Sequence, residues 1–257
     1  MTYKRVDFDG GQSMRGTELS VEELEAQGHE VQVSYLYAMQ WKSQVDRADF
    51  PHLPPDTRLK VAYASAEATA SNRLTDDVKR EQEKLLWADT VIFQFPMWWM
   101  GRPAILKGWF DRVYSLGFAY GLGEYNDSRW GDRYVEGKIQ GKKAFLVVTA
   151  GSWREHFSAR GISGPIDDLL FPINHGLLDY TGFEVLPQFM AYQLDRADDL
   201  VFRSVVDELR QRLRTISTTR PIGYRRQNGG DYEIPTLTLK PELGAASGSG
   251  FSLHSVE

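Results

Sequence analysis

One run of the chain concentrates the residue types that could bind a ligand: residues 93–109, FQFPMWWMGRPAILKGW. Its centre holds two methionines and two adjacent tryptophans, Met97, Trp98, Trp99 and Met100. Such side chains form flat apolar walls, and the following Gly101 lets a ligand approach the backbone closely. The segment therefore suits a planar ring system, such as an isoalloxazine or a quinone.

The flanking residues predict how this segment is held. Residues 88–95 are short, apolar and rich in β-branched and aromatic types, which indicates a parallel strand buried on both faces. Pro96 ends the strand because it lacks an N–H, and Pro103 suits the first turn of a helix. Apolar residues then recur at helical spacing up to Val113. The aromatic segment therefore lies at the carboxyl end of a strand, where open α/β sheets bind ligands.

The rest of the chain alternates between strand and helix patterns. Strands are expected at 29–36, 143–149 and 183–186, and helices at 18–27, 75–87, 167–180 and 197–216. Thr75 is expected to cap its helix, with Val78, Leu85 and Leu86 facing inward. Residues 40–60 and 121–141 are polar and are expected to be loops. The pattern predicts an α/β protein with a doubly wound parallel sheet over 1–216, and an extended arm with a flexible end over 217–257.

Composition narrows the functional classes. The chain has 257 residues, a net charge of −5 and no cysteine, which disfavours non-specific nucleic-acid binding and excludes disulfides and thiol catalysis. The opening residues have no apolar signal core, and no stretch reaches the ~20 apolar residues of a membrane helix. We therefore expect a cytoplasmic protein without membrane or nucleic-acid partners. The five histidines show no metal-binding spacing, so no metal site is expected.

Several segments together resemble the flavodoxin-fold NAD(P)H:quinone reductases, which include DT-diaphorase and the bacterial drug-activity modulators. The similar segments span roughly residues 28–190 and are 28–31, 36–39, 81–82 with Leu85, 91–95, 103–109, 111–113 and 117–120. The resemblance implies a flavodoxin-like fold, FAD rather than FMN as cofactor, NAD(P)H as co-substrate and a homodimer. It also implies two-electron hydride transfer to a quinone or related planar aromatic acceptor by a ping-pong mechanism. It favours flavin binding over core packing, the commoner role of lone tryptophans.

The resemblance also assigns site residues. The flavin contacts would be Pro96, Met97, Trp98, Trp99, Met100, Thr149, Ala150, Gly151 and Ser152. In the second group, backbone N–H groups would bond the ring carbonyls, although an ordinary strand-to-helix loop is an equal interpretation of 149–152 by itself. The substrate pocket would receive Ala119, Tyr120 and Gly121 from the partner subunit.

Two departures from the family pattern bear on function. The family's tyrosine and histidine, which stabilise charge on the reduced flavin, correspond to Phe157 and Ser163 here, with His156 as a candidate substitute. The opening residues 3–17 show no buried-strand pattern, and Asp7 and Asp9 would repel a phosphate. Gly10 and Gly11 alone are a weak phosphate-binding signal. We therefore expect weaker flavin binding than in relatives. The alternative function is a flavin-poor relative that uses its aromatic cleft for non-redox chemistry or ligand binding.

Overall fold

A computed structural model describes residues 1–7, 12–244 and 250–256. Its centre is a parallel sheet formed by β1 (Thr2–Asp7), β2 (Glu30–Tyr35), β3 (Thr90–Pro96), β6 (Lys143–Ala150), β7 (Glu184–Val185) and β8 (Phe189–Tyr192). The strands follow the order β2-β1-β3-β6, with both β7 and β8 paired to β6. Strand order reverses between β1 and β3, so the switch point of the sheet lies there.

Helices cover both faces of the sheet. They are α1 (Gln12–Ala26), α2 (Val61–Ala70), α3 (Asp76–Trp87), α4 (Ala104–Val113), α5 (Ile166–Ile173) and α6 (Asp199–Arg214). One buried cluster joins Tyr3 and Phe145 of the sheet to Leu213 of α6. A second cluster joins Phe93 of β3 to Trp109 of α4 and contains much of the aromatic core. The predicted doubly wound, flavodoxin-like α/β architecture is confirmed.

The opening segment is a strand, contrary to our expectation. β1 pairs in parallel with both β2 and β3, so it lies inside the sheet rather than outside it. Tyr3 and Lys4 are both fully buried. Because successive side chains of a strand point to opposite faces, one of them lies on each face of the sheet. The strand was not predicted because a charged residue such as Lys4 is unusual in a buried strand. Its partner, Glu81, lies 77 residues away with Oε2 2.7 Å from Lys4 Nζ.

Glu81 is the centre of a buried hydrogen-bond network that joins two strands to two helices. Its Oε2 accepts from Lys4 Nζ and from Trp109 Nε1 (2.8 Å). Its Oε1 accepts from Ser34 Oγ (2.9 Å) and Lys84 Nζ (2.7 Å). Burial alone would raise the pKa of Glu81, but the attraction and hydrogen bonds of the two lysines outweigh burial and lower it to about 2. Every charge in this network therefore has a partner.

Other helix boundaries and faces differ in part from expectation. The first helix starts at Gln12 rather than residue 18, and α2 follows the loop that we expected over 40–60. Thr75 precedes α3 but makes no capping bond through its side chain. Leu86 is 43% exposed, so its expected inward orientation is wrong, whereas Val78 and Leu85 are buried as expected.

The strands at 29–36 and 143–149 are confirmed as β2 and β6, and 183–186 holds the shorter β7. β8 was not expected. Residues 121–141, expected to be a loop, contain the two-residue strands β4 (Tyr125–Asn126) and β5 (Arg129–Trp130). Asp9, Gly10 and Gly11, on which the phosphate argument partly rested, lie outside the described residues.

The described part of residues 217–257 folds back against the sheet domain. The Ile222 N–H donates to the Val185 carbonyl at 2.8 Å, and the Val256 N–H donates to the Gly223 carbonyl at 2.6 Å. This part also contains a small hairpin, β9 (Tyr232–Glu233) with β10 (Thr238–Leu239), and a helical turn, Gly250–His254. The division into a domain and an arm stays a prediction. Across the described ranges, none of the helices combines the length and apolarity needed to cross a bilayer.

Candidate functional site

The aromatic segment forms a two-residue turn with unusual backbone angles. The N–H of Trp98 donates to the Gly101 carbonyl at 2.9 Å, and the Gly101 N–H donates back to the Trp98 carbonyl at 3.0 Å. Between them, Trp99 and Met100 have φ of 50° and 58°. Turns of this kind favour asparagine and glycine, because a left-handed conformation costs other residues about 1–3 kcal/mol each. The chain therefore holds two bulky residues in a strained conformation.

This turn presents its side chains to solvent instead of the core. Trp99 is fully exposed, and Trp98 and Met100 are about half exposed. Burying a tryptophan is strongly favourable, so an exposed one on a strained backbone indicates a function that packing does not supply. Trp99 therefore lies outside the core, and the turn forms an open apolar wall.

A second loop lies beside this wall. β3 and β6 pair so that Pro96 is opposite Thr149, and the Met97 N–H donates to the Thr149 carbonyl at 2.7 Å. Ala150 ends β6, and Gly151 and Ser152 follow directly. All nine residues expected to contact the flavin thus lie at the carboxyl ends of two adjacent strands. Their role as flavin ligands stays a prediction.

The three residues expected at the charge-stabilising position have different surroundings. Phe157 is buried, and its ring centroid lies 5.8 Å from that of Tyr192. The Ser163 N–H donates to the His156 carbonyl at 3.0 Å, and the His156 ring lies 5.2 Å from the ring of Trp153. The second loop thus brings the three together, but neither phenylalanine nor serine can carry a positive charge. Their catalytic roles stay a prediction.

Three arginines near these loops were not predicted from the sequence as site residues. The Arg102 guanidinium lies 5.6 Å from the Phe110 ring, and its Nε is buried without a hydrogen-bond partner in the described residues. Burial lowers the pKa of Arg102, while the nearby charge of Asp111 opposes that effect. A cation inside an otherwise apolar run was a usable signal for Arg102. Arg154 and Arg196 lie over the Tyr192 and Trp153 rings, and only the fold brings Arg196 there.

The residues expected to line the substrate pocket lie elsewhere in the chain. Ala119, Tyr120 and Gly121 follow α4, whereas the aromatic turn precedes it, and a ten-residue helix spans about 15 Å. Ala119 is buried, and Tyr120 is half-buried against the core. The aromatic turn and residues 119–121 are therefore separated along the chain by the full length of α4.

Comparisons with known proteins agree with this architecture. A family model described as "Flavodoxin-like fold" matches residues 5–213. A Penicillium crustosum protein named ribosyldihydronicotinamide dehydrogenase-like protein traD is 59% identical over 246 residues, 95% of this chain and 91% of that protein. NAD(P)H dehydrogenase [quinone] 1 from Rattus norvegicus is 36% identical over 228 residues, 88% of this chain and 80% of that protein.

A solved structure gives the same result. The crystal structure of a "Putative quinone reductase" from Klebsiella pneumoniae has 50% sequence identity and a TM-score of 0.95, and the match covers 100% of both chains. The family match spans well over half of this chain, and each of these relatives exceeds 30% identity. The chain therefore belongs to the flavodoxin-like quinone reductase family of oxidoreductases.

Proposed function

We propose that this chain catalyses the two-electron reduction of a quinone, or a related planar aromatic acceptor, by NAD(P)H with bound FAD. The observation that carries the proposal is the strained, exposed turn at Trp99 and Met100 beside residues 149–152. The names of the relatives support the choice of quinone and NAD(P)H. FAD rather than FMN rests on the resemblance of the sequence.

The residues of the turn and the second loop fit a planar cofactor. Trp98, Trp99 and Met100 would bind one face of the ring system, and backbone N–H groups after β6 would orient its polar edge. The buried, unpartnered Nε–H of Arg102 adds an unsatisfied donor next to the wall. A bound flavin supplies the hydride chemistry, and the protein supplies binding, orientation and charge. In a ping-pong reaction, NAD(P)H and the acceptor would use the same open face in turn.

The corrected start of the chain supports cofactor binding. Our expectation of weak binding rested partly on a missing first strand and partly on the acidic residues Asp7 and Asp9. With β1 in the sheet and α1 starting at Gln12, the amino end of a 15-residue helix lies close in sequence to the switch point. Helix amino ends favour anions such as phosphate. The flavin-poor alternative, which would use the same wall for non-redox chemistry or ligand binding, loses the argument from the missing strand and keeps the argument from Asp7 and Asp9.

We also propose that the active form is a homodimer. Tyr120 and the aromatic turn are at opposite ends of α4, so a second copy could bring Tyr120 to the partner's wall. The wall itself exposes apolar area that a partner subunit would cover in part. Analytical ultracentrifugation at micromolar concentration should show a dimer, and a stable monomer would contradict this assembly.

The test is a titration of FAD into the purified chain, followed by flavin fluorescence. We expect saturable binding at one flavin per chain, and weaker binding in Trp99→Ala than in Tyr63→Ala, a matched control with an exposed aromatic on α2. Absence of binding would reject the reductase proposal and leave the wall to another ligand. FMN in parallel decides between the two flavins.

A further inference from the structure

A second cavity lies between the end of α5 and the folded-back C-terminal residues, and its volume is about 290 Å³. Four of its aromatic rings form one stack, in the order Tyr134, His175, Phe171 and Phe251. Neighbouring ring centroids in the stack are 4.6, 4.5 and 4.3 Å apart. Aromatic walls of this kind accommodate a planar ring. None of the residues expected to contact the flavin lines this cavity.

One polar atom in the cavity wall, the Oε1 of Gln227, has no hydrogen-bond partner among the described residues. Gln227 is 2% exposed, and its Nε2 donates to the carbonyls of Trp130 (2.6 Å) and Gly131 (3.3 Å). Only the amide nitrogen can face two carbonyl oxygens, so these bonds fix the orientation of the side chain. Its Oε1 has no hydrogen-bond partner in the described residues. A buried acceptor left unpaired costs about 1–3 kcal/mol, so the site favours a ligand that brings a donor.

The cavity carries no net charge at neutral pH. Arg225 is paired with Asp231, with Nη1 2.7 Å from Oδ2. Burial, helped by the nearby His254, lowers the pKa of His175 to about 4. Burial, helped by Arg225, also lowers the pKa of His254. Both imidazoles are therefore neutral near pH 7, and the cavity favours an uncharged ligand.

We propose that this cavity is a second ligand site, separate from the aromatic turn, for an uncharged planar aromatic molecule with an O–H or N–H donor. Phenols and naphthols are the simplest members of this class. The ring would lie against the stacked aromatics, and the donor would bond Gln227 Oε1. The site is built from residues 134, 171–175, 225–237 and 251–254, so the proposal does not depend on flavin binding.

The test uses two probes and isothermal titration calorimetry on the full chain as purified, at pH 7. We expect saturable binding of 2-naphthol and roughly tenfold weaker binding of 2-methoxynaphthalene, which has the same rings without the donor. Trp99→Ala should retain the preference for 2-naphthol over 2-methoxynaphthalene, because the turn, which itself suits planar rings, does not line the cavity that contains Gln227. No binding of 2-naphthol, or equal affinity for the two probes, would overturn the proposal.

Two variants locate the binding. Leu237→Trp should fill the cavity and abolish the preference for 2-naphthol over 2-methoxynaphthalene, while the control Leu86→Trp, on the surface of α3, should retain that preference. Gln227→Met should bind 2-naphthol roughly tenfold more weakly and no longer prefer it over 2-methoxynaphthalene. Gln27→Met, at an exposed glutamine, is its control.

Thermal denaturation checks that each variant is folded. Retained binding in Leu237→Trp together with lost binding in Trp99→Ala would place the naphthol at the turn and reject the cavity. If Gln227→Met does not fold, the comparison of the two probes on the wild type decides.

Discussion

The Glu81 network and the aromatic turn depart in opposite ways from the usual separation of charged surface and apolar core. Lys4 and Glu81 are charged and fully buried, whereas Trp99 is apolar and fully exposed. In the network, the Glu81 carboxylate accepts bonds from four donors, so the chain itself satisfies the buried charge. In the turn, none of the described residues covers the Trp99 ring or relieves its backbone angle.

With the proposed function, this difference separates residues that stabilise the fold from residues that bind the ligand. A buried ion pair whose hydrogen bonds are all made stabilises one arrangement of β1, β2, α3 and α4. An exposed aromatic on a strained turn contributes little to folding, and selection for packing would remove it. Substitutions in the network should therefore change stability, and substitutions in the turn should change ligand binding.

The largest expected effect is that of Lys4→Met. Without the ammonium, Glu81 stays buried with one positive partner fewer, and breaking such a pair costs about 3–5 kcal/mol of the free energy of unfolding. Urea denaturation followed by tryptophan fluorescence measures this change. The control is Lys79→Met, which removes a surface pair with Asp76 (3.9 Å) and should change stability by less than about 1 kcal/mol. Similar losses in both variants would show that burial of the pair is unimportant.

Asp179 is a second buried carboxyl group, and it tests whether hydrogen-bond donors are needed to keep such a group ionised. Asp179 is 1% exposed and its Oδ2 lacks a hydrogen-bond partner in the described residues; burial raises its pKa to about 8. In the unfolded chain the pKa of Asp179 is close to the ordinary aspartate value of 3.8, so rising pH favours unfolding between the two pKa values. His175, whose folded pKa is about 4, opposes this trend below the ordinary histidine pKa of 6.5. The loss from Asp179 is therefore unopposed by His175 between pH 6.5 and 8.

Over this window, Asp179 should lower the free energy of unfolding of the wild type by about 2 kcal/mol, from about 1.5 pH units at 1.36 kcal/mol each. We expect this decrease to be absent from Asp179→Asn. Urea denaturation of the wild type and the variant at both pH values gives the difference. Asp168→Asn, at an exposed aspartate of α5, should leave the decrease in place. A variant with the wild-type pH dependence would mean that Asp179 is ionised in the folded protein.

The same contrast explains which parts could be predicted from the sequence. β3, β6 and α4 have strong local patterns and were predicted close to their bounds. β1 was missed because a single-strand pattern cannot show that Lys4 meets Glu81 on a helix 77 residues away. α2 was missed because its alanine-rich sequence has no distinct apolar stripe at helical spacing.

The candidate site was predictable only in part. The aromatic types at 97–100 marked the wall, but their position after a strand does not reveal positive φ angles at Trp99 and Met100, where glycine or asparagine would be usual. The second cavity could not be predicted, because Tyr134, His175 and Gln227 are far apart in sequence and meet only through the fold.

Trp99→Ala should have the opposite profile to Lys4→Met. Loss of a stacking aromatic weakens ring binding by about 1 kcal/mol beyond the effect of lost area. The free energy of unfolding should change by less than about 0.5 kcal/mol, since the side chain has no core contacts to lose. Flavin titration and urea denaturation of the same preparation measure both quantities. Equal losses of stability and binding would mean that the tryptophan is a packing residue.

Met100→Gly should have a small effect on the free energy of unfolding, but this effect should be a gain in stability. Glycine adopts the φ of 58° without a Cβ clash, and the strain relieved slightly exceeds the entropy that a glycine loses on folding. The free energy of unfolding should rise by about 0.5–1 kcal/mol, while ring binding weakens because the wall loses a side chain and becomes more mobile. Met39→Gly, at a similarly exposed methionine outside the left-handed region, should show no gain in stability. A destabilised Met100→Gly variant would show that the turn is not strained, and the contrast with the Glu81 network would then rest on exposure alone.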